Sequence, residues 1–136
     1  MSAELANLQR IGKIKAEPPN ARELAGLLAS GERRLTDARR ADLAFDSRFD
    51  LAYNAAHAFC LAALRRLGYR PRHRYIVFQS LPHTLGLGPE VWRVLAKAHD
   101  LRNLAEYEGH MDVEERLVLD VIEACAHVST VLARQI

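Results

Sequence analysis

Long apolar runs are missing from this chain of 136 residues. The longest, Ala55 to Leu64, is interrupted by His57 and is far too short to span a bilayer. The opening segment, MSAELANLQRIGKIKAEPPN, has no apolar core of the signal-peptide kind. A cytoplasmic protein with no membrane contact is expected. Cysteine is scarce: Cys60 and Cys125 stand among apolar neighbours, and neither belongs to a CxxC pair. Two buried thiols behaving as small hydrophobes fit better than a disulfide. Charge of one sign is also lacking, since 19 basic residues face 17 acidic ones for a net +2. A dedicated duplex-DNA binder usually carries a larger excess. Seven Gly and five Pro are few for an all-β fold, which spends them on turns. No internal repeat is visible, and GxGxxG, P-loop, HExxH and GxSxG motifs are all absent. Bundle metal sites use Glu and His three apart, whereas Glu106/His110 and Glu123/His127 are four apart. No metal and no cofactor are expected.

What is present is the balance of an ordinary soluble globule, 49% hydrophobic and 26% charged, in one domain's length. Leu5, Leu8 and Ile11 lie at helical spacing, and Pro18-Pro19 follows. Residues 1–19 therefore read as a helical stub and linker, and residues 20–136 as a single helical domain. Asn20 is a good N-cap for a first helix, whose stripe is Leu24, Leu27, Leu28, Leu35 and Ala38. Ser30-Gly31 falls inside that stripe and is a place for a kink or split. A second helix spans about Ser47 to Leu67 and ends at Gly68. It is apolar on nearly every side, so it must touch several neighbours; Phe49, Ala56, Phe59 and Leu64 are expected in the core. His57, on that helix, reads as a core histidine rather than a ligand.

A short helix near Tyr75–Leu81 and a turn over Pro82–Gly88 precede a third helix, Pro89 to about Glu108, stopped by Gly109. Asp112 and Glu115 have capping-box spacing for a fourth helix running to the C-terminus. No strand alternation appears. The fold class is all-α, an antiparallel up-and-down bundle of four to five helices with short connections.

Two groups of residues carry chemistry. On the third helix, His99, Arg102, Asn103 and Glu106 share one narrow arc, with Val91, Val94, Ala98, Leu101 and Ala105 on the core side. An Arg fork beside an amide suits a phosphate together with a base or ribose. A charged helix face with an Arg–Glu pair four apart is, equally, an ordinary solvated surface. The second group is the linker cluster Arg65, Arg66, Arg70, Arg72, His73 and Arg74, with Tyr69 and Tyr75 among them. Arg forks contact phosphates and tyrosine faces stack on bases. The chain prefers Arg throughout, with sixteen against three Lys, so a solvated loop is the competing reading.

RNLAEYEGH, residues 102–110, resembles the signature region of HEPN domains, helical bundles associated with nucleotide and RNA chemistry. The resemblance extends back through RFDLAYNAAHAFCLAALRRLGYR, residues 48–70, and covers roughly residues 21–135. In particular the chain is similar to a small bacterial branch of stand-alone single-domain proteins. The resemblance implies a homodimer with the Arg-Asn motif near its cleft. In HEPN ribonucleases two chains pair an Arg-Asn-His motif into one metal-independent RNA-cleaving site, the His in acid–base work and the Arg stabilising phosphate charge. Arg102 and Asn103 match that motif. At the shortest family spacing the His position holds Tyr107, and the first His after Arg102 is His110, beyond Gly109. The catalytic His is thus displaced or missing, and a phenol with an ordinary pKa of about 10 is a poor base at neutral pH.

Three functions remain open at this point. The first is a non-catalytic HEPN-type nucleotide- or RNA-binding module using Arg102, Asn103, Glu106, Tyr107 and His99. It would be the partner of a nucleotidyltransferase or part of a toxin–antitoxin or defence system. The second is a toxin-type endoribonuclease using Arg102 and His110. The third is a structural or adaptor dimer without nucleic acid.

Overall fold

A computed structural model describes residues 2–136. Among them the chain is mostly helical, with seven helices and one small antiparallel sheet of two strands. In chain order these are α1 (Ala3–Arg10), β1 (Ile14–Ala16), α2 (Ala21–Ala38), α3 (Phe45–Arg65), β2 (Tyr69–Pro71), α4 (Arg74–Gln79), α5 (Leu81–Thr84), α6 (Pro89–Glu108) and α7 (Glu115–Ala133).

The core is organised around α3. Phe49, Ala56, Phe59 and Leu64 are all buried, as its all-round apolar pattern requires. Helices α2 and α7 make the most extensive contacts with it. The Asn20 side chain caps α2 by accepting from the Glu23 amide at 2.9 Å. At Ser30-Gly31, where a kink or split was open, α2 is not split but runs unbroken from Ala21 to Ala38. Gly31 is there because a Cβ at that position would stand 2.7 Å from the Phe59 ring. The glycine lets α2 and α3 approach closely. At the far end of α2, buried Arg48 donates from Nε to the Ala38 carbonyl at 2.8 Å, satisfying one of the last-turn acceptors.

Three expectations need correction. A sheet exists where no strand was expected: Ile14, Lys15 and Ala16 pair with Pro71, Arg70 and Tyr69. Three residues per strand are too few to show as an alternating pattern. The N-terminal stub, whose first residue lies outside the described ones, packs on the rest of the molecule, as the helical spacing of Leu5 and Leu8 allows. Leu5, Leu8 and Ile14 form a second apolar cluster with Leu64, Tyr69 and Ile76. The turn expected over Pro82–Gly88 begins with a helical turn, α5. Finally, Asp112 does not cap α7, because the helix starts two residues later, with Glu114 at its N-cap and no side-chain cap.

Both thiols are free and buried, and burial drives Cys60 well above its ordinary pKa and Cys125 up to about 12. Among the described residues, no helix is long and apolar enough to cross a membrane.

Candidate functional site

Helix α6 begins at Pro89 and ends where Gly109 adopts φ 83°, a left-handed conformation that favours glycine. Its buried face is rotated from the expected one. Leu95, Ala96 and His99 are buried beside Val91 and Ala98, whereas Val94 and Leu101 are only partly covered. The cause is α4, which packs on α6. Tyr75 and Phe78 lie 5.6 and 6.0 Å from the His99 ring, centroid to centroid. His99 therefore sits inside the molecule and not on a solvated arc.

Its partner is Tyr53 of α3. The Tyr53 hydroxyl and His99 Nδ1 are 2.9 Å apart, and Asn103 Nδ2 lies 3.0 Å from His99 Nε2. An amide nitrogen only donates, so Nε2 accepts and the ring proton is assigned to Nδ1, which donates to the Tyr53 oxygen. Both ring nitrogens are then engaged. Burial lowers the His99 pKa and keeps the ring neutral. Burial also raises the Tyr53 phenol above its ordinary value, against the pull of Arg74 and Arg102.

Those two arginines come from different elements and meet over one ring. The Arg102 guanidinium carbon lies 5.1 Å from the Tyr53 centroid and that of Arg74 5.7 Å, both within cation–π range. Arg102 pairs with Glu106 at 2.9 Å, while its buried Nε has no hydrogen-bond partner among the described residues. Arg74 makes no ion pair among the described residues. Both guanidiniums thus lie within cation–π range of one ring, and among the described residues only Arg102 of the two has a carboxylate partner, an arrangement that favours an approaching anion.

The linker cluster divides into three. Arg65, its side chain 3% exposed, and Arg70 are locked to Glu17 and Glu23; the pairs from Arg65 Nε to Glu23 and from Arg70 Nε to Glu17 are both 2.7 Å. Arg65 also donates to the Glu17 and Pro18 carbonyls, which ties down the N-terminal segment. Arg66 points elsewhere, to the Thr84 carbonyl and Gln135. Arg72, His73 and Arg74 remain, lining a cavity of about 220 Å³ with His57, Leu61 and Arg70. His57 meets the Phe78 ring edge-on at 6.0 Å, and burial lowers its pKa to about 4, leaving it neutral.

On the other side of Arg102, a groove of about 310 Å³ brings Arg102, Glu106 and His110 together, because the Gly109 turn folds the chain back. Asp46 and Asp50 line the same groove, so carboxylates outnumber arginine there. Tyr107 does not line this groove and is 92% exposed. Another groove, about 660 Å³ between α6 and α7, contains none of the residues expected to bind or cleave a ligand. Among the described residues, no three His, Cys, Asp or Glu side chains converge to hold a metal ion.

Tyr53 and the convergence of Arg74 on Arg102 were not foreseen. A signal for Tyr53 existed, since a phenol in an otherwise apolar buried helix needs a polar partner. No family model matches the chain, and no curated protein or solved structure matches it.

Proposed function

We propose that this chain is a non-catalytic nucleotide- or RNA-binding module, an antiparallel helical bundle of HEPN type. The observation that carries the reading is the meeting of Arg74 and Arg102 over the Tyr53 ring. It joins two basic regions, far apart in sequence, into one anion-attracting surface running from Arg72 and His73 to Arg102. Phosphates take the guanidinium forks, and the neutral His57 and the outward carbonyl of Asn103 offer polar contacts to a base or ribose. A binding role is supported by His99, whose Nε2 lone pair is taken by Asn103 and whose Nδ1 is engaged with Tyr53, leaving neither nitrogen free for proton transfer.

A metal-independent endoribonuclease is the second reading, and the shared groove of Arg102 and His110 favours it. The carboxylates of Asp46, Asp50 and Glu106 around that groove weigh against a phosphate there. Two chains form a homodimer in this proposal, through the end of α6 where Leu104 and Tyr107 expose apolar surface. A sedimentation mass of two chains at micromolar concentration is expected; a mass of one chain removes the dimer. A nucleotidyltransferase is the proposed partner protein.

The test is anisotropy of a labelled single-stranded RNA, with its integrity followed on a gel with and without chelator. Binding without cleavage, weakened in Arg102→Ala and Arg74→Ala, is expected. Chelator-resistant cleavage lost in both Arg102→Ala and His110→Ala establishes the nuclease instead. No binding at low salt leaves a structural or adaptor protein.

A further inference from the structure

The cavity of about 220 Å³ beside β2 has a half-buried floor, His57, Leu61, Arg70 and Pro71, and an exposed rim, Arg72, His73 and Arg74. No carboxylate lines it. The Arg70 guanidinium is held by Glu17 and Glu23, and that of Arg74 lies over the Tyr53 ring. Arg72 is left. Its backbone N–H donates to the Lys13 carbonyl at 3.1 Å, which fixes the main chain, and its guanidinium has no ion pair or hydrogen bond among the described residues. On the floor, the ring nitrogens of His57 have no hydrogen-bond partner among the described residues and, unlike the Nε of Arg102, are not shielded from outside. Burial and the nearby Arg74, His99 and Arg102 all oppose protonation of this ring. A neutral imidazole keeps one nitrogen that accepts, which no arginine has.

We infer that this cavity takes a single guanine base of a single-stranded RNA, with Arg72 donating to O6 and N7 and His57 accepting from the N1–H and N2 edge. The inference rests on the nucleotide- or RNA-binding reading and names the base at its His57 end. Leu61 and Pro71 give the floor an apolar character that suits the face of a neutral ring, whereas a phosphate belongs at the charged rim. The volume lies below the roughly 300 Å³ at which drug-sized pockets begin, so it suits one base and not a whole nucleotide. A guanidinium fork matches two adjacent acceptors. Guanine combines such a pair, O6 and N7, with two donor groups on its next edge for the His57 lone pair. Adenine and uracil alternate acceptors with donors, and cytosine has a single donor group.

The probes are a labelled oligouridine and versions of it in which one central uridine is replaced by guanosine, 7-deazaguanosine, adenosine or cytidine, each titrated into the full chain at low salt and followed by anisotropy. The guanosine version is expected to bind at least about fivefold tighter than every other, 7-deazaguanosine included, because that base lacks the N7 acceptor. His57→Leu and Arg72→Gln are each expected to remove most of this preference. Arg72 is exposed and unpartnered, so its variant serves if His57→Leu fails to fold. Equal affinity for all the oligomers, a 7-deazaguanosine version that binds as tightly as the guanosine one, or an unchanged preference in both variants overturns the guanine pocket and leaves the RNA-binding surface standing. No binding of any oligomer overturns both.

Discussion

The Tyr53 hydroxyl lies in a helix that is apolar on nearly every side, and its hydrogen bond to His99 reaches across to α6. Replacing Tyr53 by Phe keeps the ring under Arg74 and Arg102 but removes the acceptor for the His99 Nδ1 proton. A buried donor left unpaired costs about 1–3 kcal/mol. Urea denaturation of Tyr53→Phe is expected to show a loss of that size with RNA affinity nearly unchanged. A loss of affinity without a loss of stability would move Tyr53 from the support of the site into the site itself. At this scale the sequence was only partly legible. Arg102, Asn103 and Glu106 stand on one face as their spacing requires, but His99 is buried because α4 folds over it. That short helix was expected near Tyr75–Leu81 and spans Arg74–Gln79, but its spacing does not tell which face of α6 it covers. Arg65 and Arg70 read as basic surface for a similar reason. Their partners Glu17 and Glu23 lie more than forty residues away in the chain.

Among the helices, α2 offers an internal control. Gly26 and Gly31 occupy the same helix, yet a Cβ at Gly26 meets nothing within 4 Å while one at Gly31 runs into Phe59. Gly26→Ala is expected to stabilise by about 0.5–1 kcal/mol through the unfolded chain's entropy and helix propensity. Gly31→Ala gains the same propensity but forces a buried ring aside, an overpacking cost of roughly 1–3 kcal/mol. Its net effect is destabilising. Melting temperatures moving in opposite directions check the pair; two increases would mean that α2 and α3 are less closely packed at Gly31. The long elements, α2, α3, α6 and α7, were legible because each has a sustained apolar stripe. The two strands were not, since three residues carry too little pattern. Nor was the start of α7, where capping-box spacing at Asp112 and Glu115 coincided with a chain that enters its helix later.

For the molecule as a whole, the titrating groups set how stability follows pH. Folded His57 stays neutral down to about pH 4, whereas the unfolded chain protonates it near 6.5. The unfolded state binds more protons in that window, so stability falls as pH drops from about 6.5 towards 4, by at most about 1.4 kcal/mol per unit. His99, whose pKa burial also lowers, acts with the same sign. Glu17 and Glu23 are held below their ordinary value of 4.5, chiefly by hydrogen bonds from Arg70, with Arg65 also donating to Glu23. Their contribution is fully present above pH 4.5 and is lost only as pH falls through their folded values. Urea denaturation between pH 7 and 4.5 is therefore expected to lose stability mainly through histidine. His57→Leu is expected to flatten that limb and to leave the more acidic loss in place. An unchanged slope in His57→Leu would assign the loss to other groups.

The central claim is that Arg74 and Arg102 form one anion-binding surface over Tyr53. Its most direct measurement is the affinity of a labelled single-stranded RNA across a salt series for the wild-type chain, Arg74→Ala, Arg102→Ala and the double variant. Each single substitution is expected to weaken binding severalfold and to lower the salt slope by roughly one, with the RNA intact throughout. Because the two guanidiniums serve one site, the double variant should lose an amount that differs from the sum of the two. Wild-type affinity and slope in both single variants would contradict the account.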